Sequence, residues 1–165
     1  MKRILLYTFF AIISLIGFIA CGAQKTAAEK EAQAAAIRNA METFEFRFDA
    51  TRALPTGFRT VNLSPVFDVR VSPDTVQVNL PFFGRAFRAP MNPSESPYRF
   101  TSTNFDYNVT SGRRAGNWLV QITFKDVHRQ VIFNFDIWEN GSASLNIRDI
   151  DRQSISFQGN IEAED

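Results

Sequence analysis

Cysteine and histidine are nearly absent from this chain of 165 residues, which contains one of each, Cys21 and His128. A structural zinc site needs several such ligands, and a Ser–His–Asp triad needs a histidine beside its nucleophile. His128 falls in a predicted turn, where an exposed residue is expected, and no G-x-S-x-G segment or glycine-rich phosphate loop is present. We therefore predict no catalytic residues, no metal and no cofactor, and a hydrolase is only the third candidate function.

An excess of one charge sign is also lacking. The chain has 18 basic and 17 acidic residues, and loss of Lys2 and Arg3 with a cleaved leader leaves 16 basic ones. The arginines are scattered among aspartates rather than clustered, so the electrostatic footprint of a nucleic-acid-binding protein is missing. We predict no nucleic-acid partner.

The acidic residues form no strong catalytic or calcium-binding pattern. Asp68, Asp106 and Asp136 occupy alternating polar positions of predicted strands, as a solvated face requires; a charged binding face or a glycosidase pair is the alternative. Asp149 and Asp151 are spaced to touch a calcium ion, but the segment lacks the further oxygen ligands and the glycine of a dedicated loop. We interpret Asp68, Asp106 and Asp136 as residues of a solvated face.

The longest apolar run occupies the start of the chain. Lys2 and Arg3 precede residues 4–19, a segment shorter than the about 20 residues of a membrane span. Residues 18–21, with the sequence FIAC, resemble a lipobox in which phenylalanine replaces the usual leucine. We predict a lipoprotein signal peptide over residues 1–20 and a lipid on Cys21, with a plain membrane anchor or an ordinary cleaved signal peptide as alternatives. Lipidation leaves no cysteine for a disulfide, so the domain depends on its core.

An alanine-rich segment, residues 24–43, predicts a helix. Its larger apolar residues, Ile37 and Met41, occur only in the second half and continue at helical spacing to Phe44. We therefore expect residues 21–36 to be the lipidated cysteine and a helical spacer, and the remainder to pack on the domain. A coiled-coil partner is the alternative, although no sustained heptad is present.

Alternating apolar and polar residues dominate from residue 44 onward and predict successive half-buried strands. Asn140-Gly141 is the strongest hairpin signal. Near Thr103 and Asn104 the apolar residues change from even-numbered to odd-numbered positions, which predicts a bend or bulge there. The tight turns and the absence of a βαβ rhythm indicate a mainly β fold. We predict an antiparallel meander of eight or more strands, as a curled sheet or barrel-like sandwich, with one N-terminal helix packed on it. It would form a single domain over residues 37–161, followed by a frayed tail over residues 162–165.

The segment of residues 76–86, VQVNLPFFGRA, combines a strand with an abrupt corner. Pro81 removes a ladder donor, and Gly84 permits a backbone turn that a side chain would oppose. The adjacent Phe82 and Phe83 predict a packing nucleus; the alternative is a binding lip in which one of these rings and Arg85 face a ligand.

A proline-rich loop directly follows this corner. Pro90, Pro93 and Pro97 fall within a stretch that also carries Phe87 and Met91. Long loops on a rigid sheet are often functional, so residues 82–97 are the candidate binding region. The candidate binding residues are Phe82, Phe83, Arg85, Phe87 and Met91.

The LPFFGRA segment also resembles the L-P-(Y/F)-F-G-R-A signature of domain of unknown function family 4251, small predicted lipoproteins of Bacteroides-type bacteria. Residues 141–145 and 152–159 are similar to the closing segment of that family, although the family pattern leads us to expect tyrosine near Phe157. The resemblance extends over about residues 27–161. It implies a fold and a compartment but no activity.

Asp74-Thr75-Val76 resembles the short Asp-Ser/Thr-apolar sequon at which such bacteria attach O-glycans to exported proteins. Ser72-Pro73-Asp74 places Thr75 at a hairpin tip, where a glycan would not disturb the strand ladder. Thr75 is therefore a candidate O-glycosylation site, and an ordinary turn threonine is the alternative.

These observations favour an envelope lipoprotein whose domain is a non-catalytic binding or accessory module, with a glycan, a lipid or a protein as its ligand. A structural envelope lipoprotein without a small ligand is the second candidate. Residues 22–26 lack the acidic cluster that resembles a surface-export signal. We therefore expect a lipid-anchored outer-membrane protein that faces the periplasm.

Overall fold

The computed structural model describes residues 26–88, 97–127 and 130–163. In these ranges the chain forms one α-helix followed by ten β-strands. The helix is α1 (Ala27–Thr43), and the strands are β1 (Phe46–Pro55), β2 (Val61–Asn62), β3 (Asp68–Val71), β4 (Val76–Leu80), β5 (Tyr98–Ser102), β6 (Phe105–Ser111), β7 (Asn117–Phe124), β8 (Val131–Trp138), β9 (Ser142–Asp149) and β10 (Arg152–Glu162). β10 therefore continues into the first residue of the predicted frayed tail.

All strands pair antiparallel in one sheet with the order β5-β4-β3-β1-β10-β9-β8-β7-β6, and β2 pairs with the second half of β1. The sheet curls into a nearly closed, barrel-like arrangement, which confirms the predicted fold class. Most neighbours in the sheet are neighbours in sequence, as in a meander. The exception is β1, which lies between β3 and β10.

The core consists mainly of strand residues at every second position, whose side chains face the inside of the curled sheet. In β8, Val131, Phe133, Phe135 and Ile137 are buried while the residues between them are half-buried. Phe46 and Phe48 of β1 meet Phe135 edge to face, with both pairs of ring centroids 5.6 Å apart. Aromatic pairs prefer this edge-to-face geometry. The predicted alternation of apolar and polar residues thus provides a core of mainly aromatic and β-branched side chains.

The helix begins with a capping box, because Thr26 and Glu29 exchange hydrogen bonds. The backbone N–H of Thr26 donates to Glu29 Oε2 (2.6 Å), and the N–H of Glu29 donates to Thr26 Oγ1 (3.3 Å). In its second half, Ile37 and Met41 are buried in the core, as predicted, and Ala40 is buried beside them. The first two residues of the predicted helical segment lie outside the described residues.

Phe44 ends the helix in the left-handed region, with φ of 58°. Glycine usually occupies this position, because a side chain is strained there. The Phe44 ring is buried and stacks on Tyr107 of β6, with ring centroids 3.6 Å apart. We infer that this packing offsets the backbone strain at the helix end.

The predicted hairpin at Asn140-Gly141 is confirmed, since these residues connect β8 to β9 and Gly141 has φ of 82°. The predicted bend near Thr103 and Asn104 is the turn between β5 and β6, the two ends of the sheet order. Two irregularities were not predicted, a register shift between Ala50 and Arg52 in β1 and one at the start of β10.

Candidate functional site

The corner after β4 forms a segment, residues 81–88, that we call the lip. The lip leaves the sheet at Leu80 and runs beside the first residues of β10. The backbone N–H of Phe87 donates to the carbonyl of Asp151 (2.8 Å), and the N–H of Gln153 donates to the carbonyl of Arg85 (3.0 Å). Ala86 forms a bridge with Arg152. Main-chain hydrogen bonds thus hold the backbone of the lip in place, and they do not depend on the identity of its side chains.

The Phe82 side chain packs against the guanidinium of a buried arginine, Arg152. Its ring meets the ring of Tyr98 edge to face, with centroids 5.8 Å apart. The guanidinium carbon of Arg152 lies 4.9 Å from the Phe82 centroid and 5.2 Å from the Tyr98 centroid. Both distances are within the range of cation–π attraction. Phe82 is therefore fixed by an aromatic and a cationic neighbour.

The buried cation has a buried counter-ion. Arg152 is only 4 % exposed, and its Nε lies 3.8 Å from Oδ2 of Asp149, which is also buried. Burying two charges is costly unless they are paired and hydrogen-bonded. The backbone N–H of Asp151 also donates to Asp149 Oδ1 (2.9 Å). The pair of Asp149 and Arg152 fixes the β9–β10 turn to which the lip is bound.

Gly84 allows the lip to turn directly above Phe82. Its φ is 156°, and a Cβ at this position would lie 3.1 Å from Cζ of Phe82. This separation is tighter than an ordinary van der Waals contact, so a side chain would press on the ring. The predicted need for glycine therefore comes from both the backbone angle and the neighbouring ring.

The candidate binding residues fall into two groups. Phe82 and Phe83 are half-buried and pack against the core, as the packing interpretation predicts. Arg85 is exposed, and Phe87 leaves 71 % of its surface exposed. Met91 lies outside the described residues. The lip thus turns two rings toward the core and one toward solvent.

A polar groove of about 400 Å³ lies on the outer face of β3, β4 and β5. Its wall includes Asp68, Arg70, Asn79 and Arg99. Nε of Arg70 lies 3.1 Å from Asp68 Oδ2, and Nε of Arg99 donates to Asn79 Oδ1 (3.3 Å). The polar strand positions predicted as a solvated face are thus connected by ion pairs and amide hydrogen bonds.

The same network extends to β1 through Arg47. The Arg47 guanidinium contacts Asp49 Oδ1 through Nη2 (2.9 Å) and Asp68 Oδ2 through Nε (3.2 Å). Burial raises the pKa of Asp49 above its usual value, although Arg47 opposes this effect. The arrangement consists of paired charges, and we assign no reaction to it.

Asp126, in the turn between β7 and β8, is hydrogen-bonded to the end of β5 and the turn that follows it. Its carboxylate accepts hydrogen bonds from the Ser102 hydroxyl and from the backbone N–H groups of Thr103 (2.9 Å) and Asn104 (3.2 Å). These bonds, led by that of Ser102, lower the pKa of Asp126 below its usual value. The turn between β5 and β6 is thereby tied to the β7–β8 turn.

Thr75 lies in the turn between β3 and β4 and is half-buried. Its carbonyl accepts hydrogen bonds from the N–H (2.9 Å) and the hydroxyl (3.0 Å) of Ser72. The turn is therefore closed by Ser72 and does not depend on the Thr75 hydroxyl. Cys21 and His128 lie outside the described residues.

The calcium interpretation of Asp149 and Asp151 gains no support from their surroundings. Asp149 is engaged with Arg152, and Asp151 Oδ1 lies 3.7 Å from Nη1 of Arg88. In the described ranges, no three histidine, cysteine, aspartate or glutamate residues are grouped as metal ligands.

Sequence reasoning missed the role of Arg152, because nothing in the local sequence distinguishes a buried arginine beside a turn from an exposed one.

The family is decided by the extent of a sequence match. Residues 28–161 match the profile described as "Domain of unknown function (DUF4251)". The chain belongs to this family. The match includes the whole lip and the β10 segment that holds it, so both are parts of a DUF4251 domain.

A solved structure of the family has a similar fold. It is the crystal structure of a DUF4251 family protein from Bacteroides eggerthii DSM 20697, which is 12 % identical to this chain. The alignment covers 80 % of this chain and 88 % of that chain, with a TM-score of 0.58. At this identity the similarity concerns the fold alone. No curated protein sequence matches this DUF4251 chain.

The described part of the DUF4251 chain contains no helix that is long and apolar enough to cross a membrane.

Proposed function

We propose that this DUF4251 protein is an envelope lipoprotein, anchored through Cys21, whose domain is a non-catalytic binding or accessory module. Its binding region would be residues 82–97, with Phe87 and Arg85 as the described residues that face the ligand. The leader, the lipobox-like FIAC and the family resemblance support the anchor. The absence of catalysis stays a prediction.

The observation that supports binding is the division of the lip into an inward and an outward part. Phe82 is fixed on Tyr98 and Arg152, whereas Phe87, five residues later, is 71 % exposed on a backbone that is hydrogen-bonded to Asp151. Burying a phenylalanine side chain stabilises by about 1.5–3 kcal/mol, a gain that Phe87 largely forgoes. A segment that is held by main-chain hydrogen bonds and presents an aromatic ring to solvent is suited to recognition.

A structural lipoprotein is the second candidate, because Phe82 and Phe83 both pack against the core. In that case the lip would only close the sheet, and Phe87 would be an incidental surface residue. The two candidates differ in whether position 87 contacts another molecule in the envelope.

The anchor is tested by fractionating the native host that expresses the protein or its Cys21→Ala variant. We expect the protein to stay in the membrane fraction after a carbonate wash and the variant to leave it while remaining folded, because the core lies after the anchor. A folded variant retained in the washed membranes would contradict the anchor. Protease treatment of intact cells tests orientation, since removal of the domain would mean surface exposure.

Binding is tested with a photo-crosslinking amino acid at position 87. The matched control is position 119 on β7, where Leu119 is also a large exposed apolar residue. We expect a defined adduct from position 87 only, and its mass identifies a lipid, a glycan or a protein. Equal adducts at both positions, or none at position 87, would favour the structural candidate.

A further inference from the structure

We propose that the lip and two neighbouring turns form a docking surface for an anionic lipid bilayer. This inference rests on the proposed binding function and names the partner of the lip. The docking surface consists of the turn after β1 (residues 56–60), the lip (residues 81–88) and the β9–β10 turn (residues 149–152).

All three segments meet at the start of β10. β1 ends at Pro55, opposite Ile155, and the Thr56 hydroxyl then donates to the carbonyl of Ser154 (2.8 Å). Phe87 and Asp151 are joined by the hydrogen bond already described. The first residues of β10 and the turn before it therefore hold both the lip and the turn after β1.

Each segment presents one large exposed apolar side chain. Phe58 is 57 % exposed, Phe87 71 % and Ile150 67 %. They are three of the six large apolar side chains that are exposed among the described residues, and the others are Val66, Tyr107 and Leu119. Exposed apolar side chains on segments that are hydrogen-bonded to the same stretch of chain indicate an interaction surface rather than scattered exposure.

The charges of this surface favour an anionic partner. Arg152 and Asp149 form a buried pair, which leaves Arg59, Arg85 and Arg88 against Asp151 among the charged residues nearer the solvent. Arginines beside exposed apolar side chains are typical of proteins that bind anionic lipid at the membrane interface. Near such a surface, each arginine strengthens binding by about fivefold.

The geometry suits a planar, deformable partner better than a small ligand. A small ligand is usually enclosed by a concave site, whereas Phe58, Phe87 and Ile150 are exposed on three different segments, the lip and the two turns. The polar groove on β3–β5 is lined by none of these residues. A bilayer can receive all three side chains at once, because its interface accommodates separate apolar insertions.

The test uses the full lipidated protein reconstituted in vesicles. A single cysteine replaces Phe87 or Ile150 and carries an environment-sensitive fluorophore, and Leu119→Cys is the matched control. In phosphatidylglycerol vesicles we expect a blue shift at positions 87 and 150, with quenching by spin-labelled lipid, and neither effect at position 119. In phosphatidylcholine vesicles the effects should be much weaker.

A charge variant tests the electrostatic part. Arg85→Gln should lower the ratio of membrane-contacting to free domains by about fivefold, whereas Arg113→Gln in the β6–β7 turn should leave it unchanged. The proposal is overturned if positions 87 and 150 show no shift in anionic vesicles, or if they respond equally in both lipids. A protein adduct from position 87 without a lipid response would also overturn it, although binding through the lip would stand.

Failure of the anchor is recognised separately by intact mass. A mass without acyl chains shows that Cys21 is not lipidated. The same fluorophores are then read after vesicles are added to that protein, with Cys21→Ser introduced to keep the label at one position. A response at positions 87 and 150 still supports the docking surface, and its absence overturns it.

Discussion

The guanidinium of Arg152 lies 4.9 Å from the ring of Phe82, so a buried cation at the start of β10 supports the first ring of the lip. Arg152 is in turn paired with Asp149. The lip, the β9–β10 turn and Tyr98 therefore form one packed unit, and changes in this unit should be transmitted to the lip.

Arg152→Ala should lower the free energy of unfolding by about 3–5 kcal/mol, because it leaves the Asp149 carboxylate buried without this cation. Urea unfolding of the variant measures the loss. Arg148→Ala, on the exposed face of β9, is the control and should change stability by no more than about 0.5 kcal/mol. Equal unfolding midpoints for the two variants would mean that the buried pair does not stabilise the turn.

Phe82→Ala should cost about 2–3 kcal/mol, less than the about 3–5 kcal/mol of a fully buried ring, because Phe82 is half-buried. Phe87→Ala, seven-tenths exposed, should change stability by no more than about 0.5 kcal/mol. Gly84→Val should be destabilising as well, since its Cβ would press on Phe82. If urea midpoints show Phe87→Ala to be the costlier change, the assignment of inward and outward rings is wrong.

Gly159→Ala should cost more than about 2 kcal/mol, because a Cβ at this position would lie 2.0 Å from the carbonyl oxygen of Asp49 on the neighbouring strand. Gly57→Ala is the matched control. Gly57 has φ of 78° and open space around its Cβ, so alanine there should cost only about 1 kcal/mol of backbone strain. Thermal or urea unfolding compares the two, and similar losses would contradict a close strand approach at Gly159.

Asp126 should make stability depend on acid pH. Its pKa in the folded protein is below the usual value of 3.8, so its ionised form stabilises the fold above that pH, and the contribution is lost as pH falls through the lower folded pKa. Asp126→Asn should therefore be less stable than the wild type at neutral pH, and the difference should shrink below pH 3.8. Urea midpoints measured across this range test the prediction.

Asp49 provides the control of opposite sign. Its folded pKa is raised, so its ionisation opposes folding at higher pH, and this penalty disappears as pH falls from the raised folded pKa toward 3.8. Asp49→Asn should remove that dependence. A constant difference between wild type and Asp126→Asn at every pH would mean that hydrogen bonding to the carboxylate does not favour its ionised form.

Thr75 should carry an O-glycan when the protein is made in its native host. The β3–β4 turn is closed by Ser72, so modification of the Thr75 hydroxyl leaves those hydrogen bonds intact. Intact-mass measurement of the wild type and Thr75→Ala decides the question. A wild-type mass explained by the polypeptide and its lipid alone would leave Thr75 as an ordinary turn residue.

Local patterns in the sequence determined the mainly β fold, the helix and the Asn140-Gly141 hairpin. A period of two residues reports which side of a strand is buried, and a turn is specified by the residues within it. Both signals act over a few positions, so they can be interpreted without knowing the neighbours. The same reasoning identified the corner at Phe82 and Phe83 and its requirement for Gly84.

Only the tertiary structure decided that β1 lies between β3 and β10, that Arg152 is buried beneath Phe82, and that Asp126 ties the β5–β6 turn to the β7–β8 turn. These relationships join residues far apart in the chain. A buried arginine has the same local sequence as an exposed one until its counter-ion and ring partners are assembled around it. The outward position of Phe87 has the same origin, because the hydrogen bonds that orient the lip come from β10 and the turn before it.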